Sequence, residues 1–163
     1  MDTEPNPTVK IWIDADACPV AIREILFRTA ERLRIETTLV ANQSIAIAKS
    51  EFIRRVTVRD GADIADDRIV ELMRPGDLVI TSDIPLASRV VEKDGVAISS
   101  RGELFDDKSV HERLAARNLM EQFRSAGFDT GGPKPLSQKD VQTFANQLDR
   151  SLTRLLLRSR ENQ

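Results

Sequence analysis

Apolar residues along this chain fall into short blocks, each closed by a carboxylate or a turn residue. Val9–Ile13 is a nearly continuous apolar run, the pattern of a strand covered on both faces. It stops at Asp14-Ala15-Asp16, and Pro19 suits the first turn of a helix, where its missing N–H costs nothing. Ile22, Ile25, Leu26, Ala30 and Leu33 then recur at helical spacing, which predicts a helix to about Arg34. Glu36–Ala41 reads as a second strand ended by Asn42, and Arg55–Val58 as a short third. Between them, Ile45, Ala46, Ile47 and Ala48 fit either a helical turn or a lid. Asp60-Gly61 marks a turn, and Asp63–Met73 predicts a helix with Ile64, Ile69, Leu72 and Met73 inward, stopped by Pro75-Gly76. Asp77–Thr81 is a fourth strand, Pro85 opens a helix that runs to about Asp94, and Gly95–Ser99 is a fifth strand.

Strands alternating with helices across short connections predict an α/β protein with a mainly parallel sheet. Right-handed crossovers reduce the topologies to a three-layer α/β/α sandwich. The last third differs: a helix over Lys108–Ala126, a Gly/Pro loop over Gly127–Leu136, and a final helix over Ser137–Arg158. The expected organisation is a loose tail at 1–8, one domain at 9–158 and a short tail at 159–163.

Composition narrows the classes. The chain has 163 residues, 40% apolar and 31% charged, enough for one domain with a real core. A net charge of −2 gives no global basic field, so nucleic acid would need a local footing. A single cysteine, Cys18, excludes an internal disulfide and fits a reducing compartment. With His111 as the lone histidine, a Cys/His zinc site cannot be built. No apolar run approaches the ~20 residues of a membrane span, and MDTEPNPT lacks the character of a signal peptide. The expectation is a cytoplasmic protein with no membrane partner; a homo-oligomer is allowed but not indicated.

The chemistry lies in the aspartates. Asp14 and Asp16 follow the first strand, Asp63, Asp66 and Asp67 open a helix, and Asp83 follows the fourth strand. In open parallel sheets, ligands bind beyond the carboxyl ends of strands where the strand order reverses. If the first and fourth strands are neighbours, these acids share one crevice. Two carboxylates ~4 Å apart repel by about 4 kcal/mol at an effective dielectric of 20. A hard divalent cation, Mg²⁺ or Mn²⁺, would relieve that repulsion and activate water for phosphate chemistry. Each aspartate also has an ordinary explanation. Asp16, Asp63 and Asp83 could cap helices, and Asp66 and Asp67 could answer a helix dipole. Asp14, which directly extends an apolar strand, is the hardest to explain that way.

The segments DADACPV (14–20), GADIADDRIV (61–70), VITSDIPLA (79–87) and GGPKPLSQKDVQTFANQLD (131–149) resemble those of the YaiI/YqxD family of uncharacterised bacterial proteins. The resemblance spans roughly residues 9–157, and that family is regarded as similar to PIN-domain nucleases. It implies a PIN-like fold, a Mg²⁺ or Mn²⁺ site of three or four acids, and RNA or single-stranded DNA as partner. By position, Asp14, Asp63 or Asp67, and Asp83 would hold metal, with Asp14, Asp16 and Asp83 catalytic. PIN nucleases often carry Glu at the helix position, where Asp63, Asp66 and Asp67 compete here.

Three further residues are candidates for substrate contact: Ser82, Arg101 at the carboxyl edge of the fifth strand, and Lys134 in a loop that would fold back over the site. Two other functions stay open. Asp14-Ala15-Asp16 fits the start of a haloacid-dehalogenase-type phosphatase with Asp14 as nucleophile, though Lys93 is a weak match for its lysine. A non-catalytic nucleic-acid-binding or adaptor protein is the other. Arg150, Arg154 and Arg158 form a basic stripe on the last helix, which reads first as a solvated face.

Overall fold

The structure is a computed structural model that describes residues 9–132 and 134–161. The expected tail at 1–8 lies outside the described residues, as do Pro133, Asn162 and Gln163. Eleven elements follow in order. They are β1 (Ile11–Asp14), α1 (Val20–Leu33), β2 (Thr37–Ala41), β3 (Ile53–Thr57), α2 (Ile64–Leu72), β4 (Leu78–Ile80), α3 (Ile84–Glu92), β5 (Val96–Ile98), β6 (Leu104–Phe105), α4 (Asp107–Ser125) and α5 (Gln138–Glu161).

The strands form one sheet in the order β3-β2-β1-β4-β5-β6. All neighbours pair in parallel except β5 with β6. Successive strand residues face opposite sides, so the apolar runs feed two cores. On one side Ile11, Ile13, Leu39, Leu78, Ile80 and Ile98 pack under α1 and α5. On the other, Trp12, Val40, Val79 and Ala97 pack under α2, α3 and α4. This is the three-layer α/β/α sandwich, with a mainly parallel sheet, that the sequence pattern predicts.

Four details differ from the pattern. Strand β6 was not anticipated: two residues are too few to show an alternation. Strand β3 starts two residues earlier than expected, because Arg54 and Arg55 on this edge strand are exposed and hide its apolar spacing. Residues 42–52 form neither helix nor strand; Ile45 and Ile47 are half-buried against the first core. The last helix continues to Glu161, three residues past its expected end. Where α5 crosses the turn after β5, Gly102 (φ 84°) is required: a Cβ there would stand 2.7 Å from the Thr143 carbonyl.

Strands β1 and β4 are tied at both ends. At the amino end, the Asp77 carboxylate, 3% exposed, accepts three N–H groups. These come from the Lys10 backbone (3.1 Å), the Trp12 indole (2.9 Å) and the Arg74 backbone (2.9 Å). At the carboxyl end, Thr81 Oγ1 donates to Asp14 Oδ2 at 2.8 Å. Removing the Asp77 carboxylate would orphan buried donors, at about 1–3 kcal/mol for each left without water. Asp77→Ala is therefore expected to lose roughly 3 kcal/mol or more of stability. Urea unfolding checks this; an unchanged midpoint would remove Asp77 from the set of groups that hold the sheet.

Candidate functional site

The chain leaves β1 through α1 toward β2 and β3, then returns by α2 to lay β4 on the other side of β1. The strand order reverses between β1 and β4, and the peptide ends that follow them diverge to leave a crevice. An open cleft of about 440 Å³ lies there, lined by residues that include Asp14, Asp16, Asp63, Asp66, Ser82 and Asp83. Thr81, Asn42, Ser100 and Cys18 complete its polar wall.

Each acid is held differently. Asp14 ends β1 and is oriented by the Thr81 hydroxyl. Asp16 does not cap α1, whose N-cap is Pro19; its Oδ2 accepts the Asn42 N–H at 2.8 Å. Its Oδ1 is buried and has no hydrogen-bond partner. Asp63 occupies the N-cap position of α2 but caps nothing, and its backbone is left-handed at φ 65°. That conformation is uncommon outside glycine and frequent at functional sites. Asp83 does cap α3: its Oδ1 accepts the Leu86 N–H at 3.0 Å, and its own N–H donates to Thr81 Oγ1.

The two neighbours on α2 part ways. Asp66 faces the cleft and is half-buried. Asp67 is absent from the lining, and its Oδ1 pairs with Arg89 Nη1 at 2.7 Å. Of the candidate helix acids, the cleft therefore takes Asp63 and Asp66, whereas the sequence reading favoured Asp63 and Asp67. Two other expected contacts are elsewhere. Arg101 bonds Asp140 Oδ2 at 2.6 Å, the Pro135 carbonyl at 3.5 Å and the Lys134 carbonyl. It fastens the segment before α5 to the end of β5 instead of facing a phosphate. Lys134 is exposed and does not line the cleft. Lys93, the lysine weighed for a phosphatase, donates to the Val70 carbonyl at 2.6 Å. The lining contains no lysine or arginine.

Burial raises the Asp14 carboxyl above its ordinary range; Thr81 opposes this, and Asp83 and Asp16 add to it. Asp66 is pushed up to about 6 by burial, then by the charges of Asp83, Asp14 and Asp63, against Arg89. Burial also lifts the Cys18 thiol to about 12, so it is no thiolate nucleophile at neutral pH. Among the described residues, no three His, Cys, Asp or Glu side chains stand close enough to share one ion directly. The cleft is thus a set of hard oxygen donors, mutually repelling and without a resident positive side chain.

Fold and cleft together define a three-layer α/β protein with an acidic pocket where its sheet order reverses. The chain belongs to the YaiI/YqxD family: the family model described as "Uncharacterized BCR, YaiI/YqxD family" matches residues 12–154. A "UPF0178 protein" of Shewanella amazonensis is 53% identical over 147 residues, covering 90% of this chain and 99% of its own. A "UPF0178 protein" of Hydrogenovibrio crunogenus is 53% identical over 144 residues, 88% of this chain and 95% of its own. A third, from Dechloromonas aromatica, is 52% identical over 147 residues, 90% and 98% of the two chains. No solved structure matches the chain. Among the described residues, no helix is long and apolar enough to cross a membrane.

The raised Asp66 carboxyl has a consequence for stability. With a folded pKa near 6 against 3.8 for the free side chain, the native state holds more protons than the unfolded chain between those values. Stability from this group therefore falls as pH rises from about 4 to about 6. Asp66→Asn removes the repulsion and is expected to stabilise the metal-free protein at pH 8, with the advantage shrinking toward pH 4. Urea midpoints at the two pH values, in chelator, measure it. A constant difference would mean that Asp66 is not held against its neighbours.

Proposed function

We propose that this protein is a divalent-metal-dependent, PIN-like nuclease of the cytoplasm that hydrolyses phosphodiesters in RNA or single-stranded DNA. One observation carries the reading. Acids from β1, α2 and the β4–α3 turn line one cleft that has no basic side chain, where burial and their neighbours' charges raise the Asp14 and Asp66 carboxyls. A polyanion would be repelled from such a cleft unless a cation first lowered its charge.

The residues present fit Mg²⁺ or Mn²⁺. Their donors are carboxylate and hydroxyl oxygens, and Asp16 offers a buried oxygen with no other partner. These ions keep several waters and take as few as one or two carboxylates directly, so a dispersed set suits them. Asp14, Asp83, Asp63 and Asp66 would hold the ion, at most two of them directly and the others through its waters, with Asp66 where the sequence suggests Asp67. When bound, the ion neutralises phosphate charge and makes its water more acidic. Thr81 keeps the Asp14 carboxylate turned into the cleft. Asp16 would orient the attacking water, and Ser82 would donate to a phosphate oxygen.

The phosphatase reading has less support, because the lysine it needs is committed to the Val70 carbonyl. Calorimetry with Mn²⁺ and cleavage of a single-stranded RNA oligonucleotide test the nuclease. Wild type is expected to give a saturable heat and Mn²⁺-dependent cuts. Asp14→Asn with Asp83→Asn should lose the heat and slow cutting by ~100-fold or more. Equal heats in the two proteins would end the proposal. An ion bound by an RNA-binding protein that leaves the strand intact would instead mark an adaptor.

A further inference from the structure

Arg150, Arg154 and Arg158 recur every four residues along α5, and the chain's net charge of −2 makes them read as a solvated face. The tertiary structure takes away the acids that would balance them. Between residues 141 and 160 the one acid is Asp149. It stands about 140° round the helix from Arg154 and pairs with Arg32 of α1 at 3.6 Å. Asp140, in the first turn, is held by Arg101 at 2.6 Å. Glu161 closes the helix at its far end. Among the described residues the three arginines make no ion pair, and all three are exposed.

Helix α1 lies on the other side of α5, where Ile25, Thr29, Ala145, Leu148 and Asp149 line one groove. The arginines therefore point away from α1. They span about 12 Å of the helix axis and turn by about 80° on the way, forming one slowly winding ridge. Neighbouring charges are about 6 Å apart along it, close to the separation of successive phosphates in an extended strand. The ridge continues toward the start of α5 through Gln147 and Thr143. The Thr143 backbone lies against Gly102, two residues past Ser100 in the cleft wall, so the ridge begins at the rim of the cleft. Thr143 Oγ1 donates to the Lys139 carbonyl at 2.8 Å and is left to accept. Gln147 Oε1 accepts the Ser151 hydroxyl at 3.2 Å, which leaves the Gln147 amide N–H groups to donate.

We infer that this ridge is a footing for single-stranded RNA, with phosphates on the three arginines and a ribose beside Thr143 and Gln147. Three uncompensated positive charges in a row complement a polyanion. A 2′-hydroxyl both donates and accepts, so it can use the acceptor of Thr143 and the donor of Gln147; deoxyribose can use neither. A ridge on one helix tracks one strand, whereas duplex RNA is held across successive grooves. Leu157 is the single exposed apolar side chain beside the arginines, not the apolar row that a lipid surface needs. That the bound strand goes on to enter the acidic cleft rests on the nuclease reading; the binding itself does not.

Fluorescence anisotropy of a labelled oligouridylate, measured in chelator, tests the footing. Wild type is expected to bind with log K falling by about 2 per decade of salt, from three phosphates at about 0.7 each. Arg150→Ala with Arg154→Ala and Arg158→Ala should weaken binding by ~10-fold or more at low salt and flatten that slope. Its thermal unfolding and Mn²⁺ heat should match wild type. Lysine at the same three positions should keep the slope. Asp14→Asn with Asp83→Asn should bind RNA at least as tightly as wild type, so a cleft that takes no metal and cuts nothing would leave this result standing. A wild type that does not bind RNA overturns the inference, as does a triple alanine variant with unchanged affinity and slope. So does equal affinity for the matching deoxy strand, or capture by phosphatidylserine vesicles without RNA binding.

Discussion

The pairing of β1 with β4 is the contact on which the rest depends. It joins segments 67 residues apart in the chain, at Ile11 with Leu78, Trp12 with Val79 and Ile13 with Ile80. It is also the point where strand order reverses, so it creates the cleft as well as the middle of the sheet. A carboxylate secures it at each end, and the two differ in kind. Asp77 accepts three N–H groups and is buried at the opposite end of the strands from the cleft. Asp14 receives one hydroxyl on one oxygen and faces the cleft. The same side-chain chemistry thus serves cohesion at one end of a strand pair and reactivity at the other, decided by how many donors surround it.

The cleft shows a second division of labour. Asp83 spends one oxygen on the α3 N-terminus and keeps the other for the cleft, so the capping and functional explanations of that residue both hold. Asp63 sits where a cap is needed and provides none. A backbone held at positive φ with no capping bond in return costs stability, and sites that gather unreturned costs are where function is usually found. The raised Asp14 and Asp66 carboxyls express the same imbalance electrostatically.

The choice between the competing α2 acids Asp66 and Asp67 was already written in the sequence. Asp66 precedes Ile69 and Met73 by three and seven residues, which puts it at the border of the buried stripe of α2. Asp67 lies on the opposite side of that wheel and reaches Arg89 instead. Arg101 is another matter. Its place after β5 suggested a phosphate contact, and nothing local reveals that Asp140 and two carbonyls would arrive from 33 to 39 residues away to occupy it. Asp77 and Trp12 are likewise unremarkable in the sequence and become partners only when β4 is laid beside β1.

What the chain determined by itself was the list of elements apart from β6, the two-sided burial of its strands and the presence of acids at their ends. Apolar period, turn residues and helix stops are local properties, each readable within a dozen residues. The three-layer α/β class followed from their alternation. Only the tertiary structure decided which aspartates face one another, which are satisfied by distant N–H groups, and which basic residues are already engaged. Those outcomes depend on strand order and on contacts between segments far apart in the chain, and side-chain pairing at that range leaves no periodic trace in a sequence.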